Sequence, residues 1–386
     1  AMLSTVKASI ANVDQRRGRA GRTEPGVCYR LWHEEENRGL PKAPTPELLN
    51  ADLSSALLRL IEWGDHNLYD LNLLDYPPRG HFAAALDMLK RLDFIDADDP
   101  NSLTRKGQKA SGMPLHPRLS SLILAAESDG EKALAAQIAA MLSEQGAGGR
   151  SDDLSSRVSS FQRDGSKRAS SLKDQAKRWA GTKTAPSGHA ADIIAKAWPY
   201  RIAKRRKSDP KRYQLAGGGG VKLPDNFTLE GSEWIIVCET GGQSGNESLV
   251  RLAGALDERL VRGVLTETER DFAEFDPKSG KIKARRQKTL GEIVLSETPL
   301  SQPDNATIAE AVIRAVEENG LSALPGYDAI KDHVSRLGFF YSAFPEKAPK
   351  TGGTSDALEA ELISSASDWL IPHIETHGLK GIEAGS

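Results

Sequence analysis

Gln15-Arg16-Arg17-Gly18-Arg19-Ala20-Gly21-Arg22 sets two glycines three residues apart among four arginines, behind a single glutamine. Glycine lets a backbone approach a ligand where a Cβ would clash. The planar guanidinium fork suits bidentate binding of phosphate. Gln15 adds an uncharged amide that can orient a water, and an arginine finger with a water-positioning glutamine is the apparatus of nucleoside-triphosphate hydrolysis. The competing reading is a basic turn that touches RNA or only solvent.

Outside this stretch the rest of a nucleotide site is missing. No G-x-x-x-x-G-K-[ST] occurs to cradle β- and γ-phosphates. Gly217 to Gly220 runs into Val221-Lys222-Leu223, and Ser279-Gly280-Lys281-Ile282 has no hydroxyl after its lysine. No Asp-Glu-x-His is present to hold Mg²⁺ and water. The chain has 386 residues, beyond the roughly 250–300 at which one core stops growing, so two or more domains are expected. Its formal net charge is −2 with 27% charged residues, so nucleic-acid binding has to come from local patches. Cys28 and Cys238 are the only cysteines, which excludes a disulfide framework and fits a reducing cytoplasm. No apolar run approaches the roughly 18 residues of a membrane span, and no signal-peptide pattern opens the chain.

Around the arginines, Leu3 to Ser9 and Gly26 to Trp32 read as short β runs flanking a loop, too little to bury a core. His33-Glu34-Glu35-Glu36-Asn37 is a charged stretch, better read as a solvated turn than a metal site, and Pro41, Pro44 and Pro46 mark a linker. Leu49, Leu53, Ala56, Leu57, Leu60 and Ile61 then recur at helical spacing, and a second helix follows Pro77-Pro78. Phe94-Ile95-Asp96 and Ser102-Leu103-Thr104 form a hairpin pattern, so helices and hairpin together read as a winged helix. His116 invites a catalytic reading as a histidine, but no acid or nucleophile accompanies it at a recognisable spacing. Packing or a helix cap is its better reading. Ser151-Asp152-Asp153-Leu154 is a helix start, followed by a basic helix carrying Arg157, Arg163, Lys167, Arg168, Lys173, Lys177 and Arg178. That helix is either a phosphate-contacting surface or an ordinary solvated face. About five β runs from Tyr213 to Leu295 fit an OB-type barrel. Tyr213, Trp234 and Phe275 are its candidate stacking rings, with core packing the better account of Trp234. His373 and His377 stand at i, i+4 in the last helical run, without a third ligand for zinc.

Gln15 to Arg22 matches Q-x-x-G-R-x-G-R, motif VI of the DEAH-box helicases, and Thr23 to Trp32 resembles the strand that follows it in bacterial members. Gly112-Met113-Pro114-Leu115-His116-Pro117-Arg118-Leu119 resembles the start of the family's helical ratchet. Ile193 to Ala203 and the run Lys204-Arg205-Arg206-Lys207 are also similar to family segments. The resemblance covers essentially the whole chain and implies a multidomain α+β fold. Its parts are a remnant of the second RecA-like lobe over 1–40, a winged helix over 41–112 that packs as a spacer, and a helical ratchet bundle over 113–190. An OB-like β-barrel over 191–300 and the start of a helical C-terminal region over 301–386 follow.

It further implies that Gln15, Arg19 and Arg22 act on the γ-phosphate and attacking water, while Gly18 and Gly21 shape the nucleotide-binding loop. Nucleic-acid contacts fall to Arg157, Arg163, Lys204, Arg205, Arg206 and Arg285. ATP and Mg²⁺ are the cofactors of the intact enzyme, with none expected on this chain alone. The implied partners are single-stranded or structured RNA, with DNA left open, and the missing RecA-like parts; no membrane is implied. The expectation is the C-terminal portion of a cytoplasmic ATP-dependent RNA helicase, truncated at both ends and inactive alone. The alternative is a non-enzymatic nucleic-acid-binding module left from a truncated helicase.

Overall fold

The computed structural model describes residues 7–377 apart from 66, 97, 246, 326, 345–346 and 348–353. The chain divides into two compact units, Ala1–Val264 and Leu265–Ser386. The first unit opens with helix α1 (Ile10–Ala20), capped by the Ser9 side chain, which accepts from Asn12 N at 3.2 Å. The expected strand-loop-strand is therefore replaced by a helix that carries most of the arginine motif. Residues 3–6 of the expected first strand lie outside the described residues. Gly26 to Trp32 forms no strand either. Val27, Tyr29 and Leu31 alternate as a strand would, but they are 74%, 84% and 93% exposed. A strand needs a hydrogen-bonded neighbour, and the described residues supply none there.

Helices α2 (Ser54–Glu62), α3 (Arg79–Arg91) and α4 (Arg105–Ser111) follow. Leu57, Ile61, Ala85 and Leu89 form their buried faces, at the spacing of amphipathic helices. The expected hairpin is reduced to one antiparallel bridge, Ile95 with Leu103. Five more helices make a bundle: α5 (Pro117–Leu124), α6 (Asp129–Ser143), α7 (Leu154–Arg163), α8 (Lys167–Ala180) and α9 (Ala190–Ala197). Helix α6 is its centre. Ala135, Ala136, Ile138, Ala139, Ala140 and Met141 are all inaccessible, as befits a helix apolar nearly all round. Helix α8 buries only the stripe Ala169, Leu172, Ala176 and Ala180, and ends at Gly181 in the left-handed conformation.

The bundle runs into a closed barrel of five strands: β1 (Ile202–Arg206), β2 (Asp209–Leu215), β3 (Gly220–Lys222), β4 (Trp234–Ser244) and β5 (Glu247–Ala255). Ala203, Tyr213, Val221, Ile235, Val237 and Val250 fill its interior. Gly254 permits the helices to seat on its outer wall, because a Cβ there would lie 2.9 Å from Ala191 Cβ and 3.2 Å from Leu154 Cδ2. Helix α10 (Glu258–Val264) closes the first unit.

The second unit holds a three-stranded antiparallel sheet, β6 (Glu267–Asp276), β7 (Lys281–Leu290) and β8 (Ile293–Pro299). The runs around Phe275, Arg285 and Val294 therefore do not belong to the barrel, as the single OB-type pattern had them. Helices α11 (Asn305–Asn319), α12 (Tyr327–Ala343), α13 (Ser355–Ser364) and α14 (Ala366–His377) complete the unit. Ala273 and Phe275 of the sheet join Ile308, Val312, Val316 and Leu370 in one core. The fold is mixed α+β. Among the described residues no helix is long and apolar enough to cross a membrane.

Candidate nucleotide and nucleic-acid sites

On α1, Gln15, Gly18 and Arg19 stand at i, i+3 and i+4, the spacing that places side chains on one helix face. Arg22 lies one turn further on, just past the helix end. Arg16 and Arg17 fall off that face. Arg17 lies 3.8 Å from Asp14, which also pairs with Arg30 at 2.9 Å. Gln15, Arg19 and Arg22 are exposed. Gly18 sits in a helix interior, where glycine costs roughly 0.5–1 kcal/mol relative to alanine, yet a Cβ there would meet nothing within 4 Å. The fold itself gives no reason for this glycine. Gly26 is different, since a Cβ there would overlap Ala20 O at 1.8 Å, so the chain turns back against the helix end only as glycine.

His116 caps α5, accepting from Arg118 N at 3.2 Å, and its Nε2 lies 3.2 Å from Asp52 Oδ2. That hydrogen bond, with others from Ser54, holds the Asp52 carboxyl below the usual carboxylate range. A depressed carboxyl stabilises the fold above its unfolded pKa of about 4 and loses that contribution as pH falls. Asp52→Asn is therefore expected to lower the melting temperature at pH 7, with the gap to wild type narrowing as pH falls below about 4 and closing only once pH has passed through the depressed folded-state pKa. Melts of both proteins across that range check this. A gap that stays constant with pH would defeat the assignment.

Each expected nucleic-acid contact has a definite place. Arg157 is buried in α7, with Nη1 3.2 Å from Glu239 Oε2 and Nε donating to Ala147 O at 3.3 Å. It ties the helical bundle to the barrel instead of lying on a solvated helix face. Arg163 is exposed and donates from Nε to Ser159 O at 3.3 Å. Of the cations on α8, Lys173 bonds the carbonyls of Gln162 and Asp164 at 2.8 and 2.7 Å, while Arg168 pairs with Glu144 at 2.6 Å. On β1, Lys204 lies 4.8 Å above the Trp234 ring and 3.6 Å from Glu233, and Arg206 pairs with Glu247 at 3.4 Å. Arg205 is half-buried between them. Arg285 is on β7, in the other unit from the barrel, between Glu297 at 2.9 Å and Glu274 at 3.5 Å.

Tyr213, Trp234 and Phe275 are all buried. Tyr213 and Phe275 are therefore core side chains, not stacking platforms, and Tyr213 Oη donates to Ser232 O at 2.6 Å. Among the described residues no cluster of three His, Cys, Asp or Glu could hold a metal ion. The His377 side chain lies outside what is described, although α14 does continue past Pro372. Cys238 is buried and its thiol pushed up to about 12, so it is no nucleophile. The sequence reading passed over Arg118 and Arg201, which face a cavity in the first unit. The available signal was their position, each beside a proline-marked helical turn within an apolar run.

Residues 268–300, which span most of β6 to β8, match the family described as ATP-dependent RNA helicase HrpB, connector region. Over 137 residues, 35% of this chain, it is 39% identical to the pre-mRNA-splicing factor ATP-dependent RNA helicase prp22 of Schizosaccharomyces pombe, covering 12% of that protein. Over 124 residues, 32% of this chain, it is 34% identical to ATP-dependent RNA helicase DHX33 of Mus musculus, covering 18% of it. The chain is thus homologous to the DEAH-box RNA helicases. Within that class, one match runs along almost the whole of this chain. It is homologous to ATP-dependent RNA helicase HrpB of Escherichia coli, at 31% identity over 387 aligned residues, 99% of this chain and 46% of HrpB. Two crystal structures of E. coli HrpB superpose with TM-scores of 0.72 and 0.75 at 28% sequence identity, covering 98% and 99% of this chain. They are covered to 46% and 47%, so the chain spans about half the length of HrpB. Its fold resembles the C-terminal part of that helicase.

Proposed function

We propose that this chain is the portion of an ATP-dependent RNA helicase that completes the nucleotide site from one side and handles the RNA strand. The observation that carries the reading is the α1 face. Gln15, Arg19 and Arg22 are exposed, and among the described residues no hydrogen bond or ion pair holds them. Gly18 leaves open space on the same face. Three phosphate-directed side chains and an internally unexplained glycine fit a ligand that approaches from outside. In the intact enzyme, ATP with Mg²⁺ supplies the scissile phosphoanhydride, held by a P-loop that these 386 residues do not contain. Arg19 and Arg22 then counter the charge that spreads over the transferring phosphoryl oxygens, and Gln15 orients the attacking water. Gly21 shapes the exit of the helix beside them.

Homology and element order support reading 1–40 as the end of a RecA-like lobe and 41–112 as a winged helix. They likewise support 113–190 as the ratchet and the closed barrel as an OB-type fold. Arg163 and Arg205, with Lys204 and Arg206 if their acidic partners yield, are the remaining RNA contacts of this reading. Arg157 and Arg285 act through structure.

The purified chain is expected to release no phosphate from ATP above background with saturating single-stranded RNA, measured by malachite green. Robust turnover would sink the reading of Arg19 and Arg22 as half of a site. An upstream reading frame carrying a P-loop and an Asp-Glu-x-His separates the motor from a free-standing RNA-binding module.

A further inference from the structure

A second cavity of the first unit, of about 520 Å³, lies between α6 and the C-terminal end of α8, beneath a strap formed by residues 181–186. Gly181, in the left-handed conformation, turns the chain out of α8 into the strap. The strap then returns to α6. Ser187 N donates to Gly130 O at 3.1 Å, and a Cβ at Gly130 would fall 2.0 Å from Ser187 Oγ. This wall is therefore in place without a ligand. Ala133, Ala180, Ala185 and Pro186 give the cavity small apolar surfaces, of which Ala185 and Pro186 are exposed. Lys177, Arg178 and Lys183 line it too, all exposed, and among the described residues no carboxylate does. Lys177 is matched by Asp174 at 3.1 Å. Arg178 and Lys183 have no ion-pair or hydrogen-bond partner among the described residues. Arg178 is in the last turn of α8, where the helix dipole favours a cation. Lys183 lies beyond that turn, and the fold gives no reason for it. Gln137 accepts from Gln162 Nε2 at 3.1 Å, which leaves its own amide hydrogens as further donors.

Two unmatched cations and an amide donor beside methyl-rich walls suit an anion carried on an apolar body. Nucleic acid meets only half of that description, because no aromatic side chain lines the cavity and a base has no ring to stack on. The position differs as well. Ala133 and Gln137 are in the first part of α6, whereas the cavity against β4 and β5 is lined from Leu142 to Gln145. From Ala133 to Leu142 a helix rises roughly 13–14 Å. A peptide carrying Asp or Glu beside aliphatic residues meets both halves. Its carboxylates accept from the Arg178 fork and the Lys183 ammonium, and an aliphatic side chain removes the exposed Ala185 and Pro186 from water. We propose that this cavity is the docking site for an acidic, aliphatic segment of a partner protein, held by Arg178 and Lys183. The volume is in the range of built ligand sites and admits a few side chains, not a whole domain. The docking site does not depend on the nucleotide half-site on α1.

The test is fluorescence anisotropy with the 386-residue chain and a short labelled peptide of repeating Glu-Leu-Asp, at about 0.15 M salt. A Glu-Ser-Asp peptide of the same length and charge is the comparison. The leucine peptide is expected to bind, and the serine peptide to bind about ten-fold or more weakly, since only leucine fills the apolar part. Arg178→Glu and Lys183→Glu are each expected to weaken binding of the leucine peptide about ten-fold or more. Both side chains are exposed, so neither substitution disturbs the core. Lys167→Glu makes the same charge change at the exposed opposite end of α8 and should leave binding within about two-fold, because charges more than a Debye length away are screened. Unlabelled single-stranded RNA should not displace the peptide. No binding of the leucine peptide to the wild-type chain overturns the proposal. So does equal affinity for the two peptides, or an equal loss with Lys167→Glu, either of which makes the attraction a general one of charge. Displacement of the peptide by RNA also overturns it, and assigns the cavity to nucleic acid.

Discussion

Trp198→Ala is expected to destabilise the first unit by about 3–5 kcal/mol. The side chain is 1% exposed, among the largest fully buried in the protein. It stands where α9 ends and the chain enters the barrel. Its indole Nε1 donates to Arg118 O at 2.9 Å and Ser121 Oγ at 3.0 Å, both on α5. Removing the ring opens a cavity against the bundle and breaks this link to α5. Trp198→Phe separates the two contributions, keeping most of the apolar volume while losing hydrogen bonds worth about 1 kcal/mol net. Urea titrations followed by circular dichroism at 222 nm measure both. An alanine variant as stable as the phenylalanine one would show that ring burial does not matter there.

Gly107→Ala is expected to cost at or above the upper end of the roughly 1–3 kcal/mol typical of overpacking. A Cβ at Gly107 would fall 1.9 Å from Phe94 O and 2.8 Å from its carbonyl carbon. Backbone cannot swing aside as a side chain does. The same carbonyl accepts Thr104 N at 3.1 Å, and Gly107 N donates to the Thr104 cap at 3.0 Å. Relief therefore requires α4 to lift away from the Ile95–Leu103 bridge. Hydrogen exchange should show lost protection over 94–111 while α6 stays protected. Unchanged protection in that segment would mean that the close approach is not maintained in solution.

The sequence showed more of the elements than of their partners. The Ser151-Asp152-Asp153-Leu154 start of α7 was readable, and Asp153 does accept from Ser156 N at 2.9 Å. His116 as a cap was readable because capping is decided within a few residues. At Gly26 to Trp32 the alternating pattern was present, yet no strand formed, because strand formation depends on a neighbour. The β runs of the second half were also visible. Nothing local distinguished those that close the barrel, β1 to β5, from those that form the separate sheet, β6 to β8. Both sets alternate with period two, and membership is set by pairing across tens of residues.

By itself, the sequence pointed to a class of chemistry. By identity and interval, Gln15, Gly18, Arg19 and Arg22 read as a loop between β runs, and only the structure sets the first three on one face of α1. Only the tertiary structure decided which cations are available. Arg157 is neutralised by Glu239, 82 residues away, and Arg285 by Glu297 on the next strand. Arg118 and Arg201, unremarkable in the chain, line one cavity together with Asp52, Glu144 and Glu239. Helix spacing and capping are local properties of a chain. Charge compensation and desolvation depend on what the fold brings within a few ångströms, and no interval in the sequence records that.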